Sequence, residues 1–311
     1  MDDHLLQPDG PMGDTVRLLG SLELPPGDRH DLPTSDRRFP NGDRWRVEIP
    51  SVEGPEAFAA VVDEAGKRSV PVQRISQGSG IMLQTDDEIA RMVELGRAQG
   101  IEVCLFVGPR AAWDIGRQAV TPTGAVTLAS LRGTDQLRYA VEDVRHGCEL
   151  GLRSVLVADL GLLWVLGQAK RSGDLPEDLV LKTSVSLPCT NAAIARVLVD
   201  LGATTLNLAV DLPLAAIAGI RAAVDVPLDV YVEGADDFGA PLRYFEVPEL
   251  VRVAAPVHLK FTVRNAPGIY PSGGHLAGVV ETTARERVRR ASIGVAMLRR
   301  YGDGTQGRVE A

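Results

Sequence analysis

The sequence predicts a single (β/α)8 barrel preceded by an irregular arm, and three observations carry that reading. From Trp45 onward, short β-branched or apolar runs alternate with amphipathic stretches of helical length, the pattern of a parallel sheet with crossover helices. Eight such runs occur, which favours a closed barrel over an open doubly wound sheet. No G-x-G-x-x-G opens a helix after a strand, which weighs against a dinucleotide-binding sheet.

In order, the strand candidates are WRVEIP (45–50), VPVQRIS (70–76), EVCLFVG (102–108), SVLVAD (154–159), LVLKTSVS (179–186), TTLNLAV (204–210), LDVYVEG (228–234) and VHLKFTV (257–263). Between them, TDDEIARMVELGRAQG (85–100) has the marks of a bounded helix: Thr85 can cap the first turn, acids follow it, and Gly100 supplies the stop. DQLRYAVEDVRHGCELG, NAAIARVLVDLG and PLAAIAGIRAAV read the same way, and a basic amphipathic helix over about 281–300 closes the series. Residues 1–43 are rich in Pro, Gly, Asp and Arg without periodicity and read as an arm outside the core. Within it, Val16 to Leu24 is apolar enough to dock on the barrel or on a second copy of the chain, so self-association is a candidate property. The expected organisation is arm 1–43, barrel 44–304 and tail 305–311.

Composition narrows the function classes. With 311 residues, 45% of them hydrophobic and 24% charged, the chain has material for a large core. Thirty-three basic against 41 acidic residues leave a formal charge of -8, with no basic block to meet a phosphate backbone or an anionic membrane. Three widely spaced cysteines, Cys104, Cys148 and Cys189, contain no C-x-x-C and argue against a disulfide framework, which fits a reducing cytoplasm. The acidic start and the absence of a long apolar run predict neither export nor a membrane span. The expected partner is a small-molecule or peptide substrate.

In such a barrel, catalytic groups come from strand C-termini and the loops after them. The polar residues so placed are Glu48, Gln73, Arg74, Arg110, Asp159, Ser184, Ser186, Asn191, Asp211, Glu233, Asp236, Asp237, Lys260 and Arg264. Glu48 and Glu233 interrupt apolar strands, where a carboxylate must be paired, protonated or bound to a cation. Either is a candidate general base, metal ligand or ion-pair partner of Lys182, Lys260 or Arg74. Lys182 and Lys260 are also candidates for Schiff-base chemistry, against the simpler reading of structural ion pairs. A Cys189–His275 nucleophilic pair stands against an ordinary buried thiol. In GADDFGAPLRYFE (234–246), Asp236 and Asp237 with Glu233 could ligate a divalent metal, a candidate cofactor, or form a solvated acidic loop. RNAPGIYPSGGH (264–275), which contains Tyr270, is long and Gly/Pro-rich enough to cover the mouth, and Arg264 suits a carboxylate or phosphate.

Read in order, these segments resemble the collagenase-like peptidase family of unassigned catalytic type, U-32, from about residue 90 to 300. HGCELGLRSVLVADLGLLWVL (146–166) is similar to the family's "elGvDalivsDpGvl", with Asp159 and Gly161 on its Asp and Gly. Asn191 falls on the family's asparagine, DVYVEGA (229–235) is similar to "evFvHGA", and HLKFTVR (258–264) to "lKIEGR", with Lys260 and Arg264 on the basic pair. The resemblance implies a barrel with hydrolytic or hydroxylating roles, and in some members a cysteine-ligated iron–sulfur cluster. Here Glu233 replaces the family's histidine, Asp236 and Asp237 stand where its first cluster cysteine is expected, and Ala209, Val210 and Asp211 replace an Arg-Glu pair. Three cysteines are too few for a four-cysteine cluster. LVLKTSVS also resembles the lysine strand of class I aldolases over four residues. The functional expectation is a divergent U-32-like hydrolase or related small-molecule enzyme acting on a polar, anionic substrate. Glu233, Lys260 and Asp159 are its catalytic candidates, and Arg74, Arg264, Asn191, Glu48 and Tyr270 its binding candidates. The alternative is a barrel that binds a ligand or partner without catalysis.

Overall fold

Each of the eight predicted runs contributes one parallel strand to a computed structural model that describes residues 8–9, 12–28, 32–113, 117–187, 189–236, 239 and 241–302. The strands are β1 (Trp45–Pro50), β2 (Val72–Ser76), β3 (Glu102–Phe106), β4 (Ser154–Val157), β5 (Val180–Thr183), β6 (Leu206–Asn207), β7 (Leu228–Glu233) and β8 (Val257–Phe261). Their order, β5-β4-β3-β2-β1-β8-β7-β6, wraps the first strand against the last, with Glu48 in register with Lys260. The remaining seam joins β5 to β6 through a bridge between Lys182 and Thr205. There the Thr204 amide donates to the Leu181 carbonyl at 2.9 Å and the Thr183 amide to the Thr205 carbonyl at 3.2 Å. The sheet is therefore closed, and the fold is a (β/α)8 barrel.

Among the described residues the helices are α1 (Gly13–Ser21), α2 (Pro55–Arg68), α3 (Asp86–Gln99), α4 (Gly133–Glu149), α5 (Leu160–Ser172), α6 (Ala192–Asp200), α7 (Leu214–Ala223), α8 (Val247–Ala254) and α9 (Ala277–Tyr301). α3 begins with a reciprocal cap, Thr85 accepting from the Glu88 amide while the Glu88 side chain takes the Thr85 amide, and ends on Gly100 in the left-handed region. Strand residues pointing outward, such as Val47, Ile49, Leu105, Val157, Leu181, Val230 and Leu259, share one core with the helices. None of these helices is long and apolar enough to cross a membrane.

The N-terminal segment departs from its expected separation from the core. Phe39 is buried, meets the His258 ring edge-on at 4.9 Å and carries the Arg46 guanidinium 4.1 Å above its own ring. Ser35 Oγ donates to the Ala255 carbonyl at 2.6 Å, and Arg37 Nη1 to the Arg221 carbonyl at 2.6 Å. Residues around 35–44 thus cover the N-terminal end of the barrel, where the polar ends of β1 and β8 would otherwise meet water. α1 leads into this segment, and Leu24 just after it packs on the core. The tail 305–311 lies outside the described residues.

Candidate active site

Inward positions of this barrel carry charge instead of the branched aliphatic side chains that usually fill one. Lys182 on β5 reaches Glu48 on β1 at 2.7 Å and pairs with Asp229 on β7, contacts that only the barrel interior permits. Arg74 on β2 lies 3.3 Å from Glu48, 3.1 Å from Asp229 and 2.9 Å from Glu102. His258 Nδ1 sits 2.8 Å from Asp229, and Thr205 Oγ1 donates to the same carboxylate at 3.0 Å. Burial alone would raise the pKa of Glu48, but Lys182, Lys260 and Arg74 outweigh it and hold the carboxyl low. Asp229 follows the same logic, with Lys182, Arg74 and His258 holding it well below the carboxylate range despite its burial. Burial and the neighbouring Arg74 pull His258 down, toward the neutral imidazole. This lattice is a floor of alternating cations and anions across the barrel, its charges paired while His258 Nε2 is left without a hydrogen-bond partner.

Above it, at the C-terminal ends of the strands, opens a cavity of about 350 Å³. Lys260, 1% exposed, lies at its base, 4.2 Å from the Tyr231 ring centroid and 3.4 Å from Glu48. With the Asn207 amide oriented to suit its neighbours, Asn207 accepts from Lys260 Nζ at 3.0 Å. Arg110 and Arg287, 9% and 2% exposed, line the wall, and Nε of each is buried without a hydrogen-bond partner. Arg110 Nη2 is fixed by the Gly78 and Ser79 carbonyls at 2.6 and 3.0 Å, and Arg287 Nη1 by the Ser51 carbonyl at 3.0 Å. Burial pulls Arg110 down to about 10, and it lowers Arg287 as well. The segment after β8 closes one side: Ile269 and Tyr270 line the cavity, Tyr270 Oη bonds to Ser51 Oγ, and the Ser272 amide donates to Ser79 Oγ at 2.8 Å.

Of the residues singled out from the sequence, Arg110, Ser184, Ser186, Lys260 and Tyr270 line this cavity. Glu48 lies just beneath, its carboxylate shared among Lys182, Arg74, Lys260 and Ser76. Arg74 is spent on the buried Glu48 and Asp229 and the half-buried Glu102 and offers no ligand-facing group. Glu233 is turned away: the β7–β8 register shifts between Tyr231 and Glu233, a bulge that re-aims the side chain. Its carboxylate accepts from Tyr244 Oη, from the Arg264 amide at 3.0 Å and from Arg290 at 3.5 Å. Asp159 and Asn191 are helix caps, accepting from the Leu162 amide at 2.8 Å and the Ile194 amide at 3.0 Å; Asp159 also takes the Leu131 amide at 3.0 Å. Arg264 pairs on the surface with Asp236 at 2.6 Å, and Asp237 lies outside the described residues. Replacing Asp159 by alanine should therefore cost about 1 kcal/mol, up to ~2 because two amides lose their acceptor. It should leave ligand affinity unchanged, which a urea melt and a binding titration on the same variant would check.

Among the described residues, neither metal expectation finds a fitting donor set. Glu233 and Asp236 each hold a cation, Arg290 and Arg264, where a metal would have to sit. No group of three or more His, Cys, Asp or Glu side chains converges with metal-binding geometry among the described residues. The thiols belong to separate elements, Cys104 in β3, Cys148 in α4 and Cys189 beyond β5, and do not supply the four ligands of a cluster.

Asp229, Tyr231 and His258 were within reach of the sequence, because each alternates with apolar neighbours at an inward strand position. Arg287 stands among five other arginines of α9. Its one signal is that it interrupts the helical stripe of Val280, Ala284, Val288, Ala291 and Val295, a core position for a charge.

Three kinds of comparison bear on this architecture. The YdjI aldolase from Escherichia coli K12 superposes with a TM-score of 0.50 at 13% identity, over 85% of this chain and 94% of that one. A protein of Coccidioides immitis described as a fructose-1,6-biphosphate aldolase gives 0.50 at 15%, over 82% and 92%. At these identities the likeness is one of fold. The U32 peptidase Mk0906 gives 0.44 at 15%, over 75% and 98%. No curated protein sequence matches the chain. Residues 120–238 match the sequence model described as Peptidase family U32, so the chain is U32-like in that segment and carries the likeness on a closed (β/α)8 barrel.

Proposed function

We propose that the chain is an enzyme whose substrate is a small oxyanion bound in the C-terminal mouth, with Lys260 at the reacting end. One observation supports this reading above others: Arg110, Lys260 and Arg287 line one cavity whose described lining contains no carboxylate. A buried guanidinium with unpaired N–H groups is expensive, and an anionic ligand would supply the missing charge and acceptors. Lys260, held by Asn207 and by the Tyr231 ring, would place an ammonium where negative charge develops or a proton is delivered. The hydrolysis implied by the U32 likeness would then draw on Lys260 and not on Glu233, which faces Tyr244 and Arg290. Three free thiols support a reducing, cytosolic setting for this chemistry.

A second reading, an oxyanion-binding barrel without catalysis, draws on the same cavity and is favoured by the capping and pairing roles of Asp159 and Glu233. Lys260→Met separates the two. In the wild type, oxyanions from a carboxylate and phosphate panel should raise the melting temperature, and a responding compound should be turned over. In Lys260→Met, turnover should fall by about 10³-fold or more, the scale of a lost acid–base or electrostatic group, while Arg110 and Arg287 still give a weakened thermal shift. Undiminished turnover in the variant would remove Lys260 from the chemistry. A panel that leaves the melting temperature unmoved would defeat the oxyanion reading altogether.

A further inference from the structure

The cations of the mouth are gathered on one side of it. Lys260 belongs to β8, Arg287 is fixed at Ser51 just after β1, and Arg110 is fixed at Gly78 and Ser79 just after β2; these three strands are adjacent in the barrel. The next two strands carry a different surface. Phe106 ends β3, Trp113 and Leu128 lie on the connection to α4, and Leu156 belongs to β4, all four facing the same cavity. Arg110 is the boundary between the halves, stacked between the rings of Phe106 and Trp113 at 3.7 Å from each centroid. Stacking on both faces holds the guanidinium plane still and leaves its edge for a ligand. A simple anion such as acetate or inorganic phosphate would satisfy the cationic half and leave the apolar half wetted by water, which is unfavourable for so much aromatic surface.

We propose that the ligand is amphipathic: an oxyanion joined to a flat aromatic or similarly apolar body, the anion on Arg110, Arg287 and Lys260 and the body against Phe106, Trp113, Leu128 and Leu156. This rests on the oxyanion reading above and narrows it to a substrate class. The volume agrees, since about 350 Å³ falls in the range of sites for organic small molecules, roughly 300–1,000 Å³, and exceeds what a bare anion fills. Trp113 also acts as a specificity element in this arrangement, because it both bounds the apolar half and immobilises Arg110.

Calorimetric titration of the full chain with acetate, benzoate, 2-naphthoate and neutral 2-naphthol tests the inference directly. The carboxylates should tighten by about tenfold or more with each added ring, the scale set by the apolar area withdrawn from water, and 2-naphthol should bind at least tenfold more weakly than 2-naphthoate. In Trp113→Leu, with folding verified by its melt, the preference of 2-naphthoate over acetate should shrink by about tenfold. Equal affinities for acetate, benzoate and 2-naphthoate would overturn the amphipathic ligand and leave the oxyanion reading intact. Failure of every carboxylate to bind would overturn the amphipathic carboxylate ligand, and together with a silent phosphate panel the oxyanion reading; 2-naphthol matching 2-naphthoate would overturn both.

Discussion

Replacing Lys182 by methionine is expected to cost roughly 3–5 kcal/mol of folding stability, because it leaves two buried carboxylates short of their principal counter-charge. Glu48 and Asp229 are both fully buried, and among the described residues Lys182 is the one ammonium that touches both. Arg74 already divides itself among Glu48, Asp229 and Glu102, and Lys260 stands 3.4 Å from Glu48, too far to replace a 2.7 Å contact. Against a total of about 5–15 kcal/mol for a folded domain, the loss is large enough to move a urea midpoint plainly. The pH dependence should change with it. In the wild type the folded pKa values of both carboxyls lie below their ordinary values of 4.5 and 3.8, so their contribution is present above those values and is lost as pH falls through the acid range. Without Lys182 that depression shrinks, so acidification below about pH 4.5 should cost the variant less than the wild type. Adding Glu48→Gln to Lys182→Met should recover part of the loss. An unfolding free energy for Lys182→Met within 1 kcal/mol of wild type would mean that the lattice is not what holds the barrel interior together.

The same lattice explains which parts of the site the sequence disclosed. Strand positions were legible because outward residues must be apolar to meet the helices, whatever faces inward. Glu48 was legible as a charge in need of a partner, since nothing else tolerates a carboxylate in WRVEIP. Asp159 and Asn191 misled for a physical reason: in a (β/α)8 barrel, helix N-termini and catalytic residues occupy the same end, and a cap wants the same side chains as a site. Glu233 misled because period-two alternation from Asp229 and Tyr231 places it inward, and only the bulge in the β7–β8 ladder turns it toward Tyr244 and Arg290. A bulge depends on the partner strand and leaves little trace in one strand's composition. Tyr270 was legible only as part of a long covering loop, because its place against Ser51 is fixed by a contact across more than two hundred residues.

Arg287→Met should move stability and binding in opposite directions, which distinguishes a ligand-facing cation from one that braces the fold. Arg287 is 2% exposed, forms no salt bridge among the described residues, and its Nε has no hydrogen-bond partner; an Nη1 contact to the Ser51 carbonyl at 3.0 Å and the charge of nearby Glu53 are its visible return. Methionine has a similar length, fills the gap in the α9 stripe, and removes a desolvated charge. Exchanges of buried ionic groups for apolar ones of similar volume are neutral or stabilising by about 1–4 kcal/mol, so the ligand-free variant should melt at the wild-type temperature or above it. Affinity for a bound oxyanion should fall by roughly tenfold to a hundredfold, since hydrogen bonds to charged groups contribute about 1.5–3 kcal/mol. The combination is what a binding residue maintained at the expense of stability should give, and it is the reverse of Lys182→Met, where stability falls because the charge is already satisfied from within. Thermal melts with and without a bound carboxylate, run on both variants, read the contrast. If Arg287→Met instead melts several degrees lower and binds as the wild type does, Arg287 is a brace between α9 and β1, and the cationic half of the mouth reduces to Arg110 and Lys260.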